Sequence, residues 1–388
     1  MALVVIIILS AAVNGAPNIA YQWKHGRNDE AIVRSPREAE LYALKITEML
    51  LPVTGHRIRY LADLKDDYLR WTQPPESAFL EPVYGRPGHP AANESDTASL
   101  GLIAGGGFVF LIGVLLFGAK RSDSDLLQTL AMLTTAAVPI GTVGGGGPLF
   151  AFVVSPLFRC YTRLSIYVAF FSLFAVALLL DRLRRRLAEA GLADVVWYTV
   201  LALVLIIGVL DQTTPDFVPP YEQMASDFYL DARFVKSIEA TVPRGGMIFQ
   251  LPYAPFPERN PINRMRGWDS LRGYLHSDGL RWSYGVMTGR AEARWSERFA
   301  GQSLDQVLKT LAFAGFDGIY IDRYGYPDSA ARLESDLAAQ LHESPLVSGD
   351  NRLSFFNLAG FVKALKAEYP PADWKRLHDD AVRLPASG

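Results

Sequence analysis

Long apolar runs in the first 211 residues constrain the fold of this chain more than any other feature. A helix needs about twenty consecutive apolar residues to cross a bilayer. The four runs that approach this length are Leu100–Gly118, Leu126–Val143, Leu164–Leu180 and Val195–Leu210. A fifth run covers residues 2–20 but contains Asn14, Gly15 and Pro17. The sequence therefore predicts about five transmembrane helices within residues 1–211.

The composition agrees with a membrane protein. Apolar residues make up 50% of the 388 residues and charged residues only 20%, whereas soluble domains carry about 25% charged residues. The net charge of −2 provides no basic surface, so nucleic acid is not expected as a partner. The only cysteine, Cys160, has no partner for an internal disulfide and no neighbouring His or Cys for a metal site.

The positive charges between the runs predict the orientation. Short cytoplasmic loops are enriched in Lys and Arg, and the cations that flank the runs are Lys120, Arg121, Arg182, Arg184, Arg185 and Arg186. The external loop 21–98 and all residues from 212 onward are then expected outside. The first run could also be a signal peptide, but it lacks a basic beginning, and either interpretation leaves residues 21–98 outside.

The external loop contains one strong helix signal. Ser35, Pro36 and Glu38 form a capping box with Pro at the first helical position, which predicts a helix over residues 35–50 lying on the membrane or against the spans. Pro52 and Gly55 are expected to end it. The basic cluster that follows, His56, Arg57 and Arg59, is expected to contact either lipid headgroups or a substrate phosphate.

A glycine-rich segment, residues 141–152, precedes the third long run. It contains four consecutive glycines but no Gly-Lys-Ser/Thr, which excludes a nucleotide phosphate loop. Such a segment can turn at membrane depth only beside protein or a wet cavity. Arg159, Tyr161 and Arg163 are therefore expected at the rim of a cavity, where arginine forks would bind a phosphate. The alternative is that they are interfacial anchors.

After Pro219 and Pro220 the pattern is that of a soluble domain. Helical periodicity appears in ARFVKSIEATV, SLDQVLKTLAFAGF and SAARLESDLAAQLHES, and buried strands are predicted for MIFQLPY, GIYIDR and RLSFFNL. Helices that alternate with strands predict a small α/β domain. The domain division predicted from the sequence is thus a transmembrane region, 1–211, and an extracytoplasmic α/β domain, 212–388, which is expected to fold by itself.

Residues 266–290 are rich in Arg and aromatic side chains but have little periodicity. Sugars stack on aromatic rings and phosphates bind arginines, so the segment is a candidate for substrate binding; an insertion that packs on the domain is the alternative. The candidate side chains are Gln250, Tyr253, Arg272, Tyr274, His276, Arg281, Trp282 and Tyr284. No Gly-x-Ser-x-Gly nucleophile motif occurs. No His-Glu-x-x-His motif or Cys/His cluster occurs either, so the sequence indicates no metal site.

Several stretches together carry a resemblance to a known class of enzyme. They are LLPVTGHR, RCYTRLSIYVAFFSLFAVALLLDRL, FQLPYAPFPE, GYLHSDGLRWSYG and GIYIDRYGY. The chain resembles the C-terminal half of bacterial multi-span membrane glycosyltransferases of the GT-C class, which use sugars linked to polyprenyl phosphate. The resemblance implies a protein of the bacterial inner (plasma) membrane that transfers a sugar from this lipid-linked donor to an envelope glycan or lipid acceptor.

In the chemistry that this resemblance implies, an external carboxylate, with or without a divalent metal, orients the acceptor hydroxyl. Arginines at the membrane rim stabilise the negative charge on the leaving phosphate, and Arg159 and Arg163 are the first candidates. The catalytic carboxylate of the class lies in an external loop between its first two spans. No residue here can be matched to it, so the catalytic base is unassigned and the chain is expected to be part of a longer enzyme or a non-catalytic remnant.

Other functions fit the sequence less completely. A non-catalytic membrane protein whose external domain binds a glycan or a protein is the main alternative, because no catalytic base is assigned. A phosphoglycerol transferase would need a nucleophilic Thr or Ser within a metal-binding cluster, which is not found. A transporter is disfavoured by the five predicted spans and the lack of an internal repeat.

Overall fold

The structure, a computed structural model, describes residues 2–28, 30, 34–72, 98–118, 124–189, 194–257 and 261–384. In chain order its first helices are α1 (Ala2–His25), α2 (Pro36–Leu41), α3 (Ile46–Leu50), α4 (Arg59–Thr72), α5 (Gly101–Phe117), α6 (Ser124–Gly141), α7 (Gly146–Val153), α8 (Ser165–Glu189) and α9 (Asp194–Gln212). The chain divides into two compact units, Arg34–Pro219 and Met1–Val33 with Pro220–Gly388. The N-terminal helix thus groups with the C-terminal domain.

Within these described residues, three helices are long and apolar enough to cross a membrane. They are α1, α9, and α8 together with the 3-10 turn Tyr161–Leu164 that precedes it. Helix α5 is apolar but has only 17 residues, and α6 contains Pro139. The chain is therefore a mostly helical protein with three candidate spans, and the predicted number of about five stays a prediction. Lys120, Arg121 and residues 73–97 of the external loop lie outside the described residues.

Helices α5, α6 and α8 pack together in the unit 34–219. Ala104, Phe108 and Leu111 follow one face of α5 and are buried. Gly107 lies on the same helix, where a Cβ would come within 2.3 Å of the Ser172 carbonyl oxygen of α8. A glycine at this position is what allows the two helices to approach so closely.

The prediction of one continuous helix over residues 35–50 is wrong. Its start is confirmed, because Ser35 and Glu38 form the capping box and Pro36 occupies the first turn. The chain then leaves the helix because its backbone bonds to other segments: the Leu44 N–H donates to the Gly141 oxygen at 2.7 Å, and the Leu44 oxygen accepts from the Val143 N–H. The result is two short helices, α2 and α3.

The C-terminal unit contains a five-stranded mixed sheet. Its helices are α10 (Tyr221–Glu239), α11 (Arg272–His276), α12 (Ala291–Glu297), α13 (Leu304–Ala314), α14 (Ala331–Leu341), α15 (Ala359–Glu368) and α16 (Pro371–Ala381). Its strands are β1 (Met247–Leu251), β2 (Arg281–Trp282), β3 (Gly318–Asp322), β4 (Leu346–Val347) and β5 (Leu353–Asn357). The order is β2-β1-β3-β5-β4, with β2, β1 and β3 parallel and β5 antiparallel to both of its neighbours. The three predicted strands are confirmed.

The core of this domain lies between the sheet and its helices. Phe249, Ile319 and Phe356 extend from the three central strands into one buried cluster with Leu308 and Leu311 of α13. Helix α13 begins and ends at its predicted residues, because Ser303 caps its start and Gly315 adopts the left-handed conformation at its end.

The end of α1 is attached to the domain within the same unit. Nη1 and Nη2 of Arg290 donate to the carbonyl oxygens of His25 (2.8 Å) and Gly26 (3.3 Å), and its guanidinium lies 5.3 Å from the Tyr21 ring centroid. The Asn28 side chain donates to the Thr288 oxygen at 2.8 Å. The domain is therefore joined to the C-terminal end of the first candidate span.

Thiol labelling tests the predicted orientation. In a Cys160→Ser background, Asp328→Cys in the domain should react with an impermeant thiol reagent added to intact cells. Arg186→Cys, in the basic end of α8, should react only after the membrane is permeabilised, because this end is expected in the cytoplasm. Equal labelling of the two positions in intact cells would contradict the orientation.

Candidate functional site

Three segments build the region around the predicted arginine rim. They are the link between α2 and α3, the glycine-rich turn before α7, and the 3-10 turn Tyr161–Leu164. The Thr162 N–H donates to the Tyr42 oxygen at 3.2 Å. A Cβ on Gly147 would lie 2.6 Å from the Tyr161 ring and 2.7 Å from the Ile140 oxygen, so only glycine fits beneath that ring. The glycines therefore serve close packing in this rim.

Arg159 is engaged inside the rim. Its guanidinium forms an ion pair with Glu38 and lies 5.3 Å from the Tyr42 ring centroid. Burial alone would raise the pKa of Glu38, but the hydrogen bonds from Arg159 and Ser35 and the charges of Arg159 and Arg34 outweigh it and lower the pKa. Glu38 is therefore an ionised partner that offsets much of the positive charge of Arg159.

Arg163 is in a different position from Arg159. It is exposed in the 3-10 turn at the start of the candidate span, and its side chain has no hydrogen bond or ion pair among the described residues. The helical turn begins at Tyr161, so it contains Arg163 and leaves Arg159 outside.

The second predicted cluster does not form a shared surface. His56 is 6% exposed; its Nδ1 accepts from the Ile58 N–H at 3.0 Å, and its Nε2 lies 3.5 Å from Oδ1 of Asp211. Arg57 donates to the Thr213 oxygen at 3.1 Å, whereas the Arg59 side chain is 94% exposed at the start of α4. His56 is therefore buried whereas Arg57 and Arg59 are exposed, and the contact of this cluster with headgroups or a substrate phosphate stays a prediction.

Asp211 connects His56 to the spans. Its Oδ2 accepts from the Leu102 N–H at 2.8 Å, at the beginning of α5. Gly101 has a positive φ of 67°, and a Cβ there would lie 2.3 Å from the same oxygen. Asp211 was not predicted from the sequence, because it follows an apolar run as an isolated carboxylate.

The predicted substrate residues Gln250, in β1, and Tyr253, just after it, make internal contacts. Gln250 is buried and joins two loops, since its Nε2 donates to the Ser270 oxygen at 2.7 Å and its Oε1 accepts from the Tyr284 N–H at 3.0 Å. The Tyr253 hydroxyl donates to Glu297 at 2.8 Å, and burial together with this hydrogen bond raises the pKa of Tyr253. These contacts stabilise the loops at the end of the strand.

The remaining candidates of residues 266–290 are also dispersed. Trp282 covers Gly273 and donates to Ser277 at 2.8 Å, and Arg281 donates to the Gly245 oxygen at 2.7 Å. The His276 ring lies 4.4 Å from the Phe228 ring. The Tyr284 ring packs edge-on against Phe256. Tyr274 is 64% exposed. Gln250, Tyr253 and Tyr284 line one cavity with Ser270, Ser283 and Ser296, whereas the other five candidates do not line it. The role of all eight in substrate binding stays a prediction.

The C-terminal domain contains a dense network of buried charges that was not predicted from the sequence. Arg352 donates to Asp322 through Nε (3.1 Å) and Nη2 (2.7 Å), and its Nη2 also lies 2.7 Å from Asp269. Arg272 bonds Asp231 at 2.6 Å and Asp269 at 3.3 Å. Asp322 ends β3, so the network lies at the carboxyl end of a parallel strand, where ligands bind in open α/β sheets.

The network contains three carboxylates and two guanidinium groups. Burial raises the pKa of Asp269, but the charge of Arg352 and hydrogen bonds from Arg266 and Arg352 outweigh it and lower the pKa. Burial keeps the pKa of Asp231 raised in spite of Arg272. Burial opposes the charge on Arg352, yet its bonds to Asp322 and Asp269 raise its pKa. The geometry is that of a rigid structural network.

Comparison with known proteins identifies no relative. No protein-family model, curated protein or solved structure matches the chain. Function therefore has to be argued from the residues of the site. Within the described ranges, no group of three or more His, Cys, Asp or Glu side chains could hold a metal ion. The divalent metal that the GT-C resemblance allows thus has no fitting site in the described part of this chain.

Proposed function

We propose that this chain is an integral membrane protein that binds the phosphate of a polyprenyl-phosphate-linked sugar, as the whole or part of a GT-C-type glycosyltransferase of the bacterial inner membrane. In this proposal five spans carry an external domain, and the sugar passes to an envelope acceptor. The rim contributes recognition of the lipid phosphate. The catalytic carboxylate stays unassigned.

The observation that carries the proposal is the position of Arg163. It is exposed at the first turn of a candidate span, next to Cys160 and Thr162 of the ordered rim. An arginine at headgroup depth is fully charged and offers a planar fork that matches a phosphate. Its charge is not offset by a carboxylate among the described residues. A lipid phosphate is negatively charged and lies at headgroup depth, so it can pair with Arg163.

Arg159 and Glu38 support this role indirectly. Their ion pair holds the segment before the 3-10 turn against α2, and the Arg159–Tyr42 contact adds to it. The turn that carries Arg163 is therefore ordered before a ligand binds, which lowers the entropic cost of binding. In this arrangement Arg159 positions the rim and Arg163 contacts the phosphate.

Lipid binding by the purified full chain tests the proposal. Arg163→Ala is expected to weaken binding of a polyprenyl monophosphate about 10- to 100-fold, because one charge-assisted hydrogen bond contributes about 1.5–3 kcal/mol. Arg163→Lys should lose less, since it keeps the charge but not the fork. Binding is measured in nanodiscs by competition with a fluorescent polyprenyl phosphate.

The matched control is Arg186→Ala, an exposed arginine at the opposite end of the same helix. It should bind the lipid as the unmodified chain does. The polyprenol without its phosphate should not compete. If Arg163→Ala bound the lipid normally, or if the neutral polyprenol competed equally, the rim would be an interfacial anchor and the proposed function would be wrong.

A further inference from the structure

Helix α10 is buried over only half of its length. Phe234 and Ile238 in its second half are almost fully buried in the domain core. In its first half Tyr221, Met224 and Phe228 are 67%, 54% and 57% exposed. These three residues recur at intervals of three and four, so they follow one face of the helix. The helix therefore begins with an apolar face that the domain does not cover.

The short helix α11 extends this surface. The His276 ring packs edge-on against Phe228 with 4.4 Å between ring centroids, and Leu275 beside it in sequence is 67% exposed. We name Tyr221, Met224, Phe228 and Leu275 the apolar patch. Large contiguous apolar patches on a folded domain mark interaction sites.

The chain attaches this domain to candidate membrane spans at two points. Helix α9 ends at Gln212, and the eight residues before Tyr221 can reach at most about 28 Å. Arg290 independently holds the end of α1 through the His25 and Gly26 carbonyls. The patch thus begins at the residue where the chain enters the domain from a span.

The charges beside the patch favour insertion over electrostatic attraction. The first ten residues of α10 include Glu222 and Asp227 but no Lys or Arg. Anionic headgroups would not be attracted to such a surface. Tyr and Phe, in contrast, insert at the boundary between headgroups and acyl chains, where their rings are favoured.

We propose that the apolar patch docks on the outer surface of the lipid bilayer and holds the external domain against the membrane. The occupant is the headgroup–acyl boundary of the bilayer itself. Insertion into the bilayer buries the four apolar side chains that the domain leaves exposed, and burial of apolar surface is favourable. The inference does not depend on the lipid-phosphate site at Arg163, because it concerns different residues and no bound phosphate.

Fluorescence of a reporter on the patch tests the docking. In a Cys160→Ser background, Met224→Cys of the full chain is labelled with an environment-sensitive dye and reconstituted in phosphatidylcholine vesicles. The emission is expected to shift to the blue and to lose most of its intensity when the lipids carry nitroxide groups near the headgroup. Tyr221→Cys provides a second position that should behave in the same way.

Val347→Cys is the matched control, because Val347 is a partly exposed apolar residue on the edge strand β4, outside the patch. Its dye should emit as in water and should not be quenched by nitroxide lipids. A water-like emission at both Met224→Cys and Tyr221→Cys would overturn the proposal. A blue-shifted emission without quenching by the lipids would overturn it as well, since another part of this chain or a second copy would then cover the patch.

Discussion

Replacing Arg352 by alanine should lower the free energy of unfolding of the C-terminal domain by about 3–5 kcal/mol, because it removes one partner from a buried ion network. Asp322 and Asp269 would each lose a guanidinium donor at 2.7 Å and stay buried. The Tyr324 ring would also lose the guanidinium that lies 4.4 Å from its centroid. Most of the expected loss of stability arises because these two carboxylates stay buried without the Arg352 guanidinium.

Denaturant unfolding of a fragment, residues 220–388, measures this effect. Both hydrophobic clusters of the domain consist of residues after 220, so the fragment is expected to unfold cooperatively. Arg376→Ala is the control, since its side chain is 70% exposed and lies 3.5 Å from Asp373. It should cost no more than about 1 kcal/mol. Similar losses in both variants would contradict a role for the buried network in stability.

Replacing Asp211 by alanine should destabilise the unit 34–219 by about 3 kcal/mol. The change removes a charge-assisted hydrogen bond to the Leu102 N–H, worth about 1.5–3 kcal/mol, and the 3.5 Å contact between Asp211 Oδ1 and the buried His56 Nε2. The measurement is unfolding of the full chain in detergent micelles. Two structural units are present, so the transition of this unit has to be followed by a local probe.

A double-mutant cycle with His56→Ala separates the two contacts of Asp211. If the His56–Asp211 contact contributes, the double variant should lose less than the sum of the two single losses, by about 0.5–3 kcal/mol. Asp181→Ala is the control, because that carboxylate is 58% exposed and bonds Arg185 at 2.9 Å. Additive losses from the two single variants would mean that His56 and Asp211 stabilise the unit independently.

Local signals in the sequence were sufficient for α13 and for the central strands of the C-terminal domain. Ser303 and Gly315 delimit α13 because a cap and a left-handed glycine act within the helix itself. The central strands β1, β3 and β5 are buried on both faces, so each is nearly continuous in apolar residues. The edge strands β2 and β4 have two residues each, which is too short for any periodicity.

Contacts between distant residues could not be predicted in the same way. Arg352 and Asp322 are 30 residues apart, and Arg272 and Asp231 are 41 apart. Nothing in the sequence around either pair indicates a partner, because a buried charge resembles a surface charge until the fold is known. The break between α2 and α3 also depends on distant residues, since the Leu44 backbone forms hydrogen bonds with backbone groups about 100 residues away.

The capping of α1 by Arg290 has a consequence for biosynthesis. The carbonyls of His25 and Gly26 leave the ribosome about 265 residues before the guanidinium that pairs with them. At about 5–20 residues per second this interval is roughly 13–50 s. During that time the first helix is made, but its C-terminal end lacks these two hydrogen bonds. Synthesis of the C-terminal domain is therefore the step that completes a helix made at the start of translation.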